Sequence, residues 1–133
     1  MARTEKRVAL ITGCGKQNGI GAATAKRLAA AGVIVAVSDV ASAGVENDNA
    51  IARSGQAWQG LDTLVDHIES AGGEAFSVVG DVSTEAGSAG LVADTVAKYG
   101  RLDILINNAG APHGKDRGQI ETVPLEGWDA VMA

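Results

Sequence analysis

Val8-Ala9-Leu10-Ile11-Thr12-Gly13-Cys14-Gly15-Lys16-Gln17-Asn18-Gly19-Ile20-Gly21 is a short apolar run that passes at once into a glycine-rich segment and then into an alanine-rich helical pattern. The apolar run suits a buried strand, and glycines let the backbone turn tightly and come close to a ligand. The helix that follows offers unpaired N–H groups and the positive end of its dipole to an anion such as a pyrophosphate. The stretch therefore reads as a phosphate-binding loop between a strand and a helix.

Outward from it, the spacing predicts a helix over 20–31, with Ile20, Ala23, Leu28 and Ala31 on one face and Gly32 as its stop. Val33 to Ser38 is apolar on both faces, as a parallel strand covered by helices is, and Asp39 stands at its carboxyl end. Positions 41–60 lack a pattern and are long for a strand-to-helix connection, so they read as an inserted loop. Leu61, Leu64, Val65, Ile68 and Ala71 mark an amphipathic helix that stops at Gly72-Gly73. A third strand follows over 75–79. Ser83 or Thr84 can cap a helix with Ala89, Val92, Val96 and Tyr99 along one face, ended by Gly100. A fourth strand over 102–106 runs into Asn107-Asn108-Ala109-Gly110, then a loop over 111–122 and a helix over 124–132. Strands alternating with helices imply right-handed βαβ units, hence an α/β fold with a doubly wound parallel sheet and helices on both faces.

A chain of 133 residues has the size of one domain and can bury roughly 68% of its unfolded surface. The net charge of −5 argues against nucleic-acid and anionic-membrane partners, because counterion release needs clustered Lys and Arg. No apolar segment suits a signal peptide or a membrane span, which gives a cytoplasmic expectation. Cys14 is the single cysteine, so neither an intramolecular disulfide nor a thiolate metal cluster can form, and no His, Cys and acid spacing suggests a metal. At a helix start, Cys14 could carry a lowered pKa, with packing as its blander role.

Asp39 lies 18 residues after Gly21, where a carboxylate can accept hydrogen bonds from an adenosine ribose 2′-OH and would repel a 2′-phosphate. That favours NAD over NADP. Lys16 pulls weakly the other way, since a cation in the loop could meet a phosphate.

Thr12-Gly13 with Gly19-Ile20-Gly21, then Gly80-Asp81-Val82, then Arg101-Leu102-Asp103-Ile104-Leu105-Ile106-Asn107-Asn108-Ala109-Gly110, resemble the amino-terminal half of a short-chain dehydrogenase/reductase. The resemblance covers nearly the whole chain and implies one partial Rossmann-type NAD-binding domain over 1–133, with the loop at about 41–60 inserted in it. The family's usual loop is Thr-Gly-x-x-x-Gly-x-Gly, whereas five residues separate Gly13 from Gly19 here. Either Gly13 or Gly15 can hold the first position. The resemblance also implies Ile20 and neighbouring loop amides on the pyrophosphate, Asp81 and Val82 flanking the adenine, Asn108, Ala109 and Gly110 on the nicotinamide ribose side, and Asn107 as a tie between strands. For Asp81, capping the next helix is the plain alternative.

Family members usually go on to a Ser and a Tyr-x-x-x-Lys pair that exchange a proton with substrate. The single tyrosine, Tyr99, is followed four residues later by Asp103 and lies on a helix face that reads as core, so no catalytic residue is assigned. His67 reads as a boundary residue, and His113 as a candidate for the substrate mouth. The fold is expected to be truncated after the fourth strand and the start of the next helix, leaving that strand as an exposed edge in a sticky or marginal fragment. The intact parent is expected to be a homo-oligomeric oxidoreductase moving hydride between NAD and an alcohol or ketone. A non-catalytic dinucleotide-binding module is the main rival. An S-adenosylmethionine-dependent methyltransferase would leave Thr12-Gly13 and Asn107-Asn108-Ala109-Gly110 unexplained, and Lys16-Gln17 does not fit a P-loop NTPase.

Overall fold

A computed structural model describes residues 3–44, 57–111, 114 and 116–133. In chain order the elements are β1 (Val8–Ile11), α1 (Ile20–Ala30), β2 (Ile34–Asp39), α2 (Leu61–Ser70), β3 (Ala75–Val79), α3 (Glu85–Tyr99), β4 (Ile104–Ile106), a 3-10 turn (Ile120–Thr122) and α4 (Leu125–Met132). The sheet order is β3-β2-β1-β4, and every neighbouring pair is parallel. The chain moves outward from β1 through β2 to β3 and then returns to place β4 on the other side of β1. That reversal opens a crevice at the carboxyl ends of the strands, where open α/β sheets bind ligands.

Side-chain alternation along the strands divides the core between two faces. Ala9, Ile11, Val35, Val37 and Ala75 pack with Ala22, Ala25 and Ala29 of α1 and with Leu61, Leu64 and Ile68 of α2. Leu10, Ala36, Phe76 and Val78 pack on the opposite face with Leu91 of α3. Helices therefore cover both faces, as the doubly wound reading requires. Small residues on α1 and larger ones on α2 follow from how close each helix comes: alanines bring α1 against β1 and β2.

Two helix faces differ from the sequence reading. On α1 the buried residues are Gly21, Ala22, Ala25 and Ala29, while Ile20 is 77% exposed and Ala23 and Ala31 are also exposed. The helix turns its smallest side chains to the sheet, and the larger Ile20 is directed outward. On α3 the stripe is Leu91, Thr95 and the half-buried Tyr99, whereas Val92 and Val96 are each 39% exposed and Ala89 is exposed. Thr95 can be buried because its Oγ1 donates to the carbonyl of Leu91 at 2.7 Å, which satisfies the hydroxyl within the helix. On α2, Leu61, Leu64 and Ile68 are buried as the periodicity predicts, though Ala71 is exposed.

Strand boundaries shift slightly. β2 begins one residue later and includes Asp39, and β4 keeps only Ile104–Ile106. Asp103 serves instead as a clasp: its Oδ2 accepts from Val8 N–H at 2.8 Å and from Arg101 Nε at 2.8 Å. The Arg101 guanidinium and the Val8 amide hold the Asp103 carboxyl down at about 2. β4 forms one edge of the sheet, as expected, and its Leu105 is 49% exposed. Most of the segment read as an inserted loop, positions 45–56, lies outside the described residues, as does His113. Among the described residues no helix is long and apolar enough to cross a membrane.

Candidate functional site

The exits of β1 and β4 are sewn together. Thr12 Oγ1 accepts from the N–H groups of Asn108 (3.1 Å) and Ala109 (3.0 Å), and Asn108 Nδ2 donates to the carbonyls of both Thr12 and Gly13 at 3.1 Å. The tie between strands is thus made by Asn108 rather than Asn107, because the Asn108 side chain points back to β1. Gly13 stands at the tightest point, with φ +70°, and a Cβ there would lie 2.8 Å from Ala109 Cα. Gly21 is stacked beneath it: a Cβ on Gly21 would come within 2.7 Å of the Gly13 carbonyl oxygen and 2.8 Å of Asn108 Nδ2. Thr12 and these two glycines fix how closely the loop, the start of α1 and the end of β4 approach one another.

The start of α1 is bare. Gly19 occupies the cap position and has no side chain to accept from the helix, and the first turn carries no acid. The first amide within the helix that bonds back is Ala23 N–H, to Gly19 O at 3.1 Å. The amides of Ile20, Gly21 and Ala22 precede it and lack an intrahelical acceptor. The positive dipole end of this eleven-residue helix stands at the crevice, where such amides could hold an anion.

Asp39 closes the other wall. Its Oδ2 accepts from Gly15 N–H at 2.8 Å and its Oδ1 from Val40 N–H at 2.7 Å, which leaves part of the carboxylate's roughly four lone-pair positions for a ligand. Beside it, Ser38 is 1% exposed, and its Oγ has no hydrogen-bond partner among the described residues. Two cavities, of about 280 and 600 Å³, share Gly13, Asp39, Ala109, Gly110 and Ala111 in their walls and form one cleft. Asp81 and Val82 line the smaller, and Gly19, Ile20 and Asn108 the larger. Gly15 and Gly21 are buried and line neither. Of the two candidate first glycines, Gly13 faces the cleft, while Gly15 lies behind it with its backbone held by Asp39.

The remaining candidates sort themselves by environment. Asp81 sits in an Asx turn, its Oδ1 accepting from Ser83 N–H (2.9 Å) and Ser83 Oγ (2.7 Å); the Ser83 hydroxyl and amide lower its pKa. It therefore shapes the turn ahead of α3, whose cap is Thr84, and also faces the cleft. Cys14 is fully buried, its Sγ 3.3 Å from the Ile11 carbonyl, and burial pushes its thiol up to about 12, so the activated-thiol alternative fails. Tyr99 packs at 5.2 Å on Phe76, and burial followed by the charge of Glu74 raises it to about 12, the wrong direction for proton exchange near neutrality. His67 lies beside Trp58, with ring centroids 6.5 Å apart, away from the cleft. Among the described residues no cluster of His, Cys, Asp and Glu could hold a metal.

Sequence reasoning passed over Thr12 as a hydrogen-bond hub, Ser38 and Trp58. Thr12 and Ser38 could have been found by asking which hydroxyls a buried strand end must satisfy. Trp58 carried no local signal, since its partner is a loop carbonyl 43 residues away.

A family model described as enoyl-(acyl carrier protein) reductase matches residues 13–133. The chain is 38% identical over 128 residues to the short-chain dehydrogenase/reductase eriH of Hericium erinaceus, covering 96% of this chain and 44% of that protein. Among solved structures, a short chain dehydrogenase from Mycobacterium avium superimposes with a TM-score of 0.76 at 34% identity over 95% of this chain and 41% of that one. A metagenomic short-chain oxidoreductase, solved in complex with NADP, gives 0.74 at 31% identity over 95% and 48%. The chain spans less than half the length of the curated relatives it matches. Together with the parallel β3-β2-β1-β4 sheet and the cleft at its switch point, these likenesses show that the chain belongs to the short-chain dehydrogenase/reductase family.

Proposed function

We propose that this chain is the dinucleotide-binding portion of an oxidoreductase that moves hydride between a nicotinamide cofactor and an alcohol or ketone, and that it takes NAD in preference to NADP. The observation that carries the reading is the pairing of two complementary features across one cleft: the bare start of α1 and the Asp39 carboxylate at the end of β2. A pyrophosphate needs donors without competing acids, and the amides of Ile20, Gly21 and Ala22 are such donors. A ribose diol needs an acceptor, and Asp39 is one, while its negative charge opposes a 2′-phosphate. The buried Ser38 hydroxyl, without a partner among the described residues, and the close backbone approach at Gly13 fit a ligand seated against this wall. Ile20 and the loop amides would hold the pyrophosphate, Asp39 the ribose, Asp81 and Val82 the adenine, and Asn108, Ala109 and Gly110 the nicotinamide ribose. The bound nicotinamide supplies or accepts the hydride; these residues bind it and orient it.

The relative solved with NADP makes cofactor choice the sharper test. Calorimetry on the wild-type chain should show NAD bound more tightly than NADP. Asp39→Ala should weaken NAD and narrow that gap by about tenfold, the equivalent of one ribose–carboxylate interaction. An unchanged ratio removes Asp39 from the ribose site.

A second reading, binding without turnover by these 133 residues, is favoured by Tyr99: the sole tyrosine is packed on Phe76 with its pKa raised, on the far side of the sheet from α1. The purified chain should bind NAD yet reduce none of it with any alcohol. Appearance of reduced nicotinamide would overturn that reading.

A further inference from the structure

We propose that Trp58 is a positioning residue for the phosphate-binding loop, acting through the carbonyl of Gly15; the proposal rests on the dinucleotide reading above. The Gly15 residue is gripped from both sides. Asp39 Oδ2 takes its N–H at 2.8 Å, and Trp58 Nε1 donates to its carbonyl oxygen at 2.9 Å. The Trp58 ring in turn packs on the core cluster beneath α1 and α2, so the donor is held by rigid surroundings.

The backbone around this contact has no slack. A Cβ on Gly15 would lie 2.6 Å from Asp39 Oδ2 and 2.8 Å from Gly44 Cα. A Cβ on Gly44 would lie 2.3 Å from the Gly15 oxygen and 3.1 Å from Gly60 Cα. Leu61 N–H donates to the Ser42 carbonyl at 2.9 Å, which closes the two flanks of the 41–60 segment on each other. Gly15, Gly44 and Gly60 thus form a three-layer backbone stack, with Trp58 fastened across it. The segment that looks like an insertion is, at its base, a buttress for the loop.

The physical reason lies in the loop's length. Five residues between Gly13 and Gly19 leave more conformational freedom to be lost on binding than a shorter loop would, and an anchor at Gly15 removes part of it beforehand. The benefit should therefore reach the pyrophosphate, which meets the loop amides, and not the adenosine end, which meets residues of β2 and the turn after β3.

The test is Trp58→Phe, which keeps a large ring and removes the donor, titrated by calorimetry or NMR with NAD, ADP-ribose and adenosine. NAD and ADP-ribose should bind about three- to tenfold more weakly, as loss of one neutral hydrogen bond implies, with adenosine changed by less than about twofold. Equal weakening of all three ligands, or of none, would overturn the proposal. If the variant does not fold, the wild-type chain still decides: with two tryptophans present, the Trp58 indole N–H resonance should shift on adding NAD and stay still on adding adenosine, and the reverse would overturn it. A wild-type chain that binds neither NAD nor ADP-ribose would overturn the dinucleotide reading and this proposal together, whereas intact NAD binding in Trp58→Phe sinks the Trp58 role alone.

Discussion

Helices α1 and α3 both begin at the carboxyl edge of the same parallel sheet, yet their first turns are built in opposite ways. At α3, Thr84 caps the helix: its Oγ1 accepts from Gly87 N–H at 3.0 Å, Glu85 adds a negative charge to the first turn, and Ser88 N–H bonds to the Thr84 carbonyl. That terminus carries its own cap. At α1 the equivalent position is Gly19, without a cap bond and without an acid, so the amides of Ile20, Gly21 and Ala22 lack an intrahelical acceptor, and Gly19 and Ile20 line the cleft. On the proposed reading, the start left without a cap, that of α1, is the one that meets the ligand. The contrast also explains why the glycines differ: Gly100 only ends a helix in the left-handed region, whereas Gly13 and Gly21 let three segments converge on one point.

The contrast can be broken first at its tightest contact. Gly21→Val places a side chain against the Gly13 carbonyl, 2.7 Å from where its Cβ must sit. It should cost about 1–3 kcal/mol of stability, by overpacking of a close-fitted site, and abolish measurable NAD binding. Thermal unfolding and calorimetry check both. A stable variant that binds NAD normally would mean that the approach of α1 to the loop is not required.

A paired exchange of caps is the next test. Gly19→Asp gives α1 the cap it lacks; the residue's φ of −82° accepts a side chain, with Lys16 Cβ and O, 3.2 and 3.3 Å from the new Cβ, giving way slightly. The new carboxylate should compete for the same amides and weaken NAD by about tenfold, roughly 1.4 kcal/mol, without loss of thermal stability. Thr84→Ala should do the opposite, costing about 1 kcal/mol of stability and leaving NAD affinity unchanged. If both variants behaved alike, the two termini would be functionally equivalent.

The smallest effect concerns the clasp that holds β1 in register with β4. Asp103 titrates at about 2, below the ordinary carboxylate value of 3.8, because Arg101 and the Val8 amide favour its charged form. A group whose pKa is lowered on folding binds fewer protons in the folded state, so its contribution is present above about pH 4 and is lost as the pH falls toward 2. Asp103→Asn should therefore flatten the decline in melting temperature across that window, and an unchanged slope would remove the clasp from acid stability.

Much of this was legible in the sequence, for a reason visible in particular residues. The alternation of strands and helices, the boundaries of β3 and a cap at Ser83 or Thr84 follow from local pattern, and Asp39, Asp81 and Gly13 stand at strand ends where the periodicity puts them. What could not be read depended on distant partners. The buried faces of α1 and α3 were misassigned because Gly and Thr do not look like core residues until the sheet presses on one and the Leu91 carbonyl satisfies the other. Asn107 and Asn108 are identical by composition, and only the direction of the side chain assigns the tie to Asn108. Trp58 and the stack of Gly15, Gly44 and Gly60 join stretches well separated along the chain, Trp58 and Gly15 by 43 residues, which no local window registers.

Whether α1 rather than α3 offers its first turn to the cofactor is read by titrating NAD into the isotopically labelled chain and following backbone amides. The amides of Ile20, Gly21 and Ala22 should shift together, while those of Gly87 and Ser88, already bonded to Thr84, should not. Shifts at Gly87 and Ser88 with none at the start of α1 would contradict this reading.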